Sequence, residues 1–256
     1  MQLFHRDLGG PGRPPLVILH GLLGSSRNWQ SAGADLAATF HVFALDLRNH
    51  GRSPQADLMT YDTMVDDVLD WLETQGLARA TLLGHSLGGK VAMRLACQHP
   101  DRVNQLVVVD IAPRDYPAHA DRAEFSAMHA LPLDHLKTRG DAERFFEPRV
   151  PDWAMRKFLA TNLDQAPDGQ WRWMINLPGL TAALPELVKN PLEPGDRFAG
   201  PARFIVGGRS HYVRPEDEAA IRHHFPAAEI ITMADAGHNP HMEKRAEFVR
   251  AVVGQS

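Results

Sequence analysis

The chain of 256 residues carries a formal net charge of −4 and is 44% hydrophobic and 23% charged. This composition is typical of a globular protein that buries a large core, as one domain or as one domain with an insertion. The small acidic excess gives no basic footprint, so we expect no nucleic-acid partner.

The first residues of the chain, its short apolar runs and its single cysteine predict a cytoplasmic protein. The first 15 residues contain no apolar run behind a positive head, so we expect no signal peptide. Apolar runs such as residues 16–24 are too short to cross a membrane. Cys97 is the only cysteine, which excludes an internal disulfide and fits a reducing compartment.

Six short apolar, β-branched runs predict strands, with helical patterns between them. The strands are predicted at 16–21, 42–47, 80–86, 105–112, 202–208 and 228–238, and the helices at 61–77, 86–100, 214–225 and 239–254. The strand runs are nearly continuously apolar, which is typical of strands covered on both faces. Alternating strands and helices predict an α/β fold with a mostly parallel sheet and helices on both sides.

Residues 113–200 break this alternation. They contain no convincing strand, several prolines, and three of the five tryptophans. A segment this long between two strands is too large for a simple loop. We predict a helical cap, inserted into a core domain formed by residues 1–112 and 201–256, that covers the carboxyl edge of the sheet. Ordinary helices of the main layer are the alternative.

The stretch at 79–93, RATLLGHSLGGKVAM, fits two chemistries. Residues 84–88 match G-x-S-x-G, the sharp strand-to-helix turn that presents a serine nucleophile, here Ser86. Residues 84–90 also resemble a phosphate-binding loop, G-x-x-x-x-G-K. That loop needs Ser or Thr after its lysine to hold magnesium, and Val91 offers no oxygen. The pattern therefore favours the serine nucleophile.

Other chemically active residues follow other predicted strands. Asp110 follows the strand at 105–112, and His238 ends the last one. Because the carboxyl ends of parallel strands meet at one edge of a sheet, we expect Ser86, Asp110 and His238 to converge. Serine is a poor nucleophile at neutral pH, so His238 must take its proton, and a carboxylate must orient the imidazole. The backbone amides of Leu22 and Leu87 are the predicted oxyanion donors.

The chain resembles the α/β-hydrolase superfamily over essentially its whole length, and within it the YbfF-type bacterial esterases. The segments that carry the resemblance are 16–29, 44–54, 82–93, 107–116, 204–213 and 236–245. The resemblance implies the α/β-hydrolase fold and serine hydrolysis of esters or thioesters, with no metal and no organic cofactor.

The triad acid departs from the commoner superfamily pattern. That pattern has an aspartate after the strand at 202–208, where this chain has Ser210. The subgroup resemblance implies an acid one strand earlier, which is Asp110. Glu216 and Asp217 are the alternatives, although their position fits the first turn of a helix.

We therefore predict a serine hydrolase that cleaves carboxylic esters, or acyl thioesters, of small to medium acyl chain through an acyl-enzyme intermediate. The same triad also fits a carbon–carbon or lactone hydrolase, a perhydrolase, or a ligand sensor with little turnover. The partner is a small-molecule ester or thioester, with no membrane; the oligomeric state is left open.

The substrate pocket is predicted between the sheet edge and the cap. Its predicted lining residues are Trp153, Trp173, Met174 and Leu177. The predicted cap also carries arginines that are either solvated or available to an anionic leaving group such as coenzyme A: Arg122, Arg139, Arg144, Arg149, Arg156 and Arg172.

Overall fold

The computed structural model describes residues 1–117 and 123–254. The strands are β1 (His5–Asp7), β2 (Pro15–Leu19), β3 (His41–Leu45), β4 (Ala80–His85), β5 (Val103–Val109), β6 (Leu163–Gln165), β7 (Trp171–Trp173), β8 (Ala202–Gly207) and β9 (Ala228–Met233). Seven of them form one sheet in the order β1-β3-β2-β4-β5-β8-β9. Strand β1 pairs antiparallel with β3, and the other pairs in this sheet are parallel. The predicted α/β fold is confirmed.

Helices cover both faces of this sheet. The described part of the chain contains the helices α1 (Gln30–Leu36), α2 (Tyr61–Thr74), α3 (Leu87–Gln98), α4 (Ala123–His129), α5 (Arg139–Phe146), α6 (Trp153–Ala160), α7 (Leu177–Leu187), α8 (Glu218–His224), α9 (Pro240–Glu243) and α10 (Arg245–Val253). Short 3₁₀ turns lie at Ser26–Trp29, Pro100–Arg102, Leu133–His135 and Pro215–Asp217. In the described part of the chain, no helix combines the length and the apolarity that a membrane span needs.

The two faces of the sheet explain the continuous apolar runs. On β2, Leu16 and Ile18 pack with α1 and α10 on one side. Val17 and Leu19 pack on the other side with residues of α2 and α3. Because successive side chains of a strand point to opposite faces, a sheet covered on both sides needs apolar residues at every position.

The predicted boundaries are corrected in several places. Strand β1 was missed, since three residues on a partly exposed edge carry no clear pattern. The last predicted strand ends at Met233, before the loop that carries His238. The predicted C-terminal helix is two helices, α9 and α10, because the non-helical backbone of Lys244 (φ −135°, ψ 50°) interrupts it.

Residues 113–200 hold four helices in their described part, and also the small hairpin of β6 and β7. The expectation of no strand there was therefore wrong: Leu163 pairs with Trp173 and Gln165 with Trp171. Three-residue strands are too short to show an alternating pattern. The segment contacts the loops after the central strands, since Asn162 bonds to Leu23 and the backbone N–H of Asn176 donates to the Asn49 carbonyl.

Candidate active site

Ser86 occupies a strained turn between β4 and α3. Its backbone has φ +51° and ψ −116°, a region that non-glycine residues rarely adopt. A Cβ on Gly84 would lie 2.2 Å from the carbonyl oxygen of Gly88, and one on Gly88 would lie 2.3 Å from that of Leu19. Glycine is therefore required at both flanking positions, which is the steric reason for the G-x-S-x-G pattern.

Asp110 directly follows β5, the strand next to β4, just as Ser86 directly follows β4. The parallel register pairs His85 with Val109, so that Ser86 and Asp110 both follow directly after paired residues. Asp110 is 1% exposed, and its Oδ1 accepts a hydrogen bond from the Gly207 amide at 2.9 Å. Its Oδ2 accepts from the Ser210 hydroxyl and also faces the imidazole of His238. Ser210 thus supports the carboxylate that the commoner pattern would place at residue 210 itself.

His238 meets this carboxylate with one ring nitrogen. Its Nδ1 lies 2.7 Å from Oδ2 of Asp110, so a proton on Nδ1 is donated to the carboxylate and Nε2 keeps its lone pair. The ring of Tyr212 stacks on the imidazole with centroids 3.8 Å apart. Within the described residues, no hydrogen bond joins His238 to the Ser86 hydroxyl. In unliganded active sites this bond is often long and tightens when substrate binds.

His85 fixes the backbone of the same loop. Its Nε2 lies 2.8 Å from the carbonyl oxygen of His238. Burial, followed by the nearby His238 and His241, lowers the pKa of His85 well below its usual range, so the ring stays neutral. A neutral ring that donates from Nε2 holds His238 beside Asp110.

The alternative acids lie elsewhere. Asp217 pairs with Arg114 at 3.1 Å and accepts from the Arg214 amide, which fixes the turn before α8. Glu216 is exposed and lies 3.8 Å from the Arg214 guanidinium. Among the described residues, Asp110 is the carboxylate that bonds to His238.

The two predicted oxyanion donors face one cavity. Leu22 and Leu87 both line it beside Ser86. Within the described part of the chain, neither backbone N–H donates a hydrogen bond to a protein acceptor. Two backbone N–H groups that have no acceptor among the described residues, next to a serine on a strained turn, are typical of a site that binds a developing oxyanion.

A network that the sequence did not reveal holds the loop of Leu22. The next residue, Leu23, has φ +61°. Its N–H donates to Nε2 of His50 at 3.2 Å, and its carbonyl accepts from the Asn162 side chain at 2.8 Å. Burial lowers the pKa of His50 to about 3, which keeps this ring neutral and able to accept. His20 supports the loop from below, since its Nε2 accepts from the Leu47 amide at 3.0 Å.

The cavity beside Ser86 has a volume of about 420 Å³ and a mainly apolar wall. Its lining residues are Leu22, Ser86, Leu87, Lys90, Ile111, Tyr116, Leu184, Leu187, Val188 and Tyr212. The segment at 113–200 contributes the C-terminal half of α7, which places leucines against the sheet edge.

The four predicted pocket residues do not line this cavity, so that prediction was wrong. Trp153 is 62% exposed at the start of α6, and Trp173 belongs to the hairpin. Met174 lines a different cleft. Leu177 is buried at the N-terminal end of α7, two helical turns before the leucines that face Ser86. The aromatic residues of this segment were a misleading signal, since most of them pack the segment itself or face solvent.

Of the arginines predicted in the cap, the five that the structure describes do not line the cavity either. Arg139, Arg149 and Arg156 donate to backbone carbonyls nearby, and Arg144 pairs with Asp141. Arg172 is exposed. Arg122 lies outside the described residues. The contacts of Arg139, Arg144, Arg149 and Arg156 therefore favour a structural role for these side chains over binding of an anionic leaving group.

Lys90 has a role that the phosphate-loop alternative does not fit. Its ammonium donates to the carbonyls of Val188 at 2.9 Å and Lys189 at 2.5 Å, just after α7. It also lies 4.8 Å from the centroid of the Tyr116 ring. Burial lowers the pKa of Lys90 to about 7. The side chain thus ties the segment at 113–200 to α3 instead of pointing into a phosphate cradle. Among the described residues there is no group of three or more His, Cys, Asp or Glu side chains that could hold a metal.

Comparisons with known proteins identify the family. A family model described as alpha/beta hydrolase fold matches residues 14–245. The Danio rerio protein named sn-1-specific diacylglycerol lipase ABHD11 is 37% identical over 246 residues, which cover 93% of this chain and 77% of that protein. Esterase YbfF of Escherichia coli (strain K12) is 35% identical over 238 residues, which cover 93% of this chain and 91% of that protein.

A solved structure of an esterase is similar to this chain over its whole length. One described as a marine microorganism esterase superimposes with a TM-score of 0.95 at 33% identity and covers 100% of both chains. The predicted resemblance to the YbfF-type esterases is confirmed by these matches. The chain belongs to the α/β-hydrolase family and is a carboxylic ester hydrolase.

Proposed function

We propose that this protein hydrolyses carboxylic esters of small to medium acyl chain through an acyl-enzyme on Ser86. The observation that carries the proposal is the contact of 2.7 Å between His238 Nδ1 and Asp110 Oδ2, at the strand edge that also carries Ser86. This contact orients an imidazole whose other nitrogen is unprotonated, which is what a general base requires.

In the proposed mechanism the hydroxyl of Ser86 attacks the acyl carbonyl while His238 Nε2 takes its proton. The carbonyl oxygen becomes an oxyanion, which the amides of Leu22 and Leu87 bind. His238 then gives the proton to the leaving alcohol or thiol, and the acyl group stays on Ser86. A water, deprotonated by His238, releases the acid and restores the serine. Asp110 stabilises the imidazolium throughout.

The wall of the cavity supports the proposed substrate class. Its lining is mainly apolar, which suits the acyl chain of an ester. Thioesters undergo the same acyl transfer, so we include them as substrates. We further propose that residues 113–200 act as a cap, since Leu184 and Leu187 form one wall of this cavity. With one half-buried cysteine and no disulfide, we place the protein in the cytoplasm.

A substrate panel tests the proposal. Purified protein and the Ser86→Ala variant would be assayed with p-nitrophenyl acetate, butyrate, octanoate and palmitate, and with acyl-CoA thioesters of matching length. We expect hydrolysis by the wild type, with a maximum at short or medium chains, and loss of at least 10³-fold in the variant. Equal rates in the two proteins would refute the proposal and favour a ligand sensor. Faster turnover of lactones than of any ester would point to the lactone hydrolase.

A further inference from the structure

A second cleft lies on the loop that carries Leu22. It has a volume of about 400 Å³ and is walled by residues of this loop, of the loop after β3 and of the hairpin region. Leu22 borders the cavity beside Ser86, whereas Ser25 and Ser26 border this cleft. The loop at residues 22–26 therefore borders both the cavity beside Ser86 and this second cleft.

The cleft is lined by three arginines without acidic partners. They are Arg6, Arg27 and Arg52. Among the described residues, none of the three guanidinium groups makes an ion pair or a side-chain hydrogen bond; those of Arg6 and Arg52 contact the ring of Phe4. The guanidinium carbons of Arg6 and Arg52 lie 5.7 Å and 5.2 Å from the centroid of the Phe4 ring, so both groups are close to this ring.

The carboxylates in the cleft do not cancel this charge. Asp46 is 2% exposed, and its two oxygens accept from the backbone amides of Ser26 at 2.6 Å and Arg52 at 2.8 Å. Asp164 on the hairpin is the second carboxylate in the wall. Three guanidinium groups against two carboxylates, one of them already engaged by the backbone, leave the cleft net positive.

Two buried donors in this cleft have no partner. Among residues 1–117 and 123–254, neither the hydroxyl of Ser26, a residue only 1% exposed, nor the buried Nε of Arg6 has a hydrogen-bond partner. Native proteins satisfy nearly all buried donors, so an unsatisfied pair in one cleft is a place where a bound acceptor would be stabilised. Unpaired guanidinium groups beside them indicate that the acceptor is anionic.

We propose that this cleft binds an oxyanion of the phosphate class, through the Arg6 and Arg52 guanidinium groups and the Ser26 hydroxyl. Arg27, which is exposed, stands at its mouth. Phosphate offers several acceptor oxygens to planar guanidinium groups and to a hydroxyl donor at once. The phosphate is either free or carried on a larger molecule, as a phosphomonoester group.

Calorimetric titration with inorganic phosphate at constant ionic strength tests this site without any reference to esterase activity. The variants are Arg52→Gln and Ser26→Ala, and Arg172→Gln is the matched control because Arg172 is exposed and lines neither space. We expect saturable binding by the wild type and by the control, with affinity at least tenfold weaker in Arg52→Gln and Ser26→Ala. Thermal unfolding of each variant checks that it is folded.

Absence of saturable binding in the wild type would overturn the proposal, as would equal affinity in all four proteins. The same titration with glycerol phosphate separates the two sources: tighter binding than inorganic phosphate assigns a phosphomonoester, and equal or weaker binding assigns the free ion.

Discussion

Replacement of Asp110 by asparagine is the substitution that tests the proposed acid most sharply. The carboxylate accepts from the Gly207 amide on one oxygen and from Ser210 and His238 on the other. Asparagine has nearly the same shape but only one acceptor oxygen. The Gly207 N–H is buried and needs that oxygen, so the NH₂ group must face His238.

This exchange reverses the hydrogen bond to the imidazole. An NH₂ group donates, so Nδ1 of His238 must accept and its proton moves to Nε2. The imidazole is then in the tautomer that cannot take a proton from Ser86. The corresponding replacement in the serine-protease triad lowers kcat about 10⁴-fold. We expect a loss of about 10³ to 10⁴, or about 4 to 5.5 kcal/mol in activation free energy.

The assay is kcat for p-nitrophenyl butyrate, with KM measured in the same runs. Since the substrate cavity is unchanged, KM should stay within about threefold of the wild type. The matched control is Glu216→Gln, the same chemical change on an exposed carboxylate that does not contact His238; it should change kcat less than twofold. A variant at Asp110 that kept a tenth of the activity, or a control that lost as much, would refute the assignment.

Three further predictions follow from other contacts. Asn162→Asp removes the donor that holds the Leu23 carbonyl, so kcat should fall about 10- to 100-fold at constant KM. Asn104→Asp, the same change at an exposed position of β5, should have no effect. A change confined to KM would contradict the loop-positioning role. Lys90 has a folded pKa of about 7 against 10.5 for the free side chain, so the unfolded chain binds its proton more tightly. The free energy of unfolding should therefore rise between pH 7 and 10.5. Chemical denaturation of Lys90→Met should show a smaller rise in the free energy of unfolding over this pH range. The same pH dependence in both proteins would contradict the burial argument. Gly88→Ala should fail to fold or lose all activity, because its Cβ would meet the Leu19 carbonyl at 2.3 Å; an active, folded variant would show that the turn can relax.

Features set by local sequence were predictable. Strand β4, which leads into Ser86, is buried throughout and runs into a glycine pattern with one steric explanation, so the turn was predictable from the local sequence. Asp110 and His238 were found because each follows a strand, and parallel strands bring their carboxyl ends together. The resemblance was needed to choose between Asp110 and the two acids before α8.

Features set by the packing of the segment at 113–200 were not predictable. Asn162 and His50 are polar residues without a motif of their own, and they meet at Leu23 only because this segment folds against the loops of the sheet. The cavity wall depends on which half of α7 faces Ser86, and the apolar pattern of that helix is similar along its length. The tryptophans misled the prediction because aromatic content indicates burial or contact without indicating which surface is contacted.

Covalent labelling of Ser86 is the measurement that tests the central claim most directly. A p-nitrophenyl phosphonate would be incubated with the wild type and with Ser86→Ala, and the labelled peptide identified by mass spectrometry. We predict one phosphonyl group per chain, on the peptide that contains Ser86, with loss of p-nitrophenyl butyrate hydrolysis in proportion to labelling, and no label in the variant. Labelling of another residue, or undiminished hydrolysis by fully labelled protein, would contradict the account.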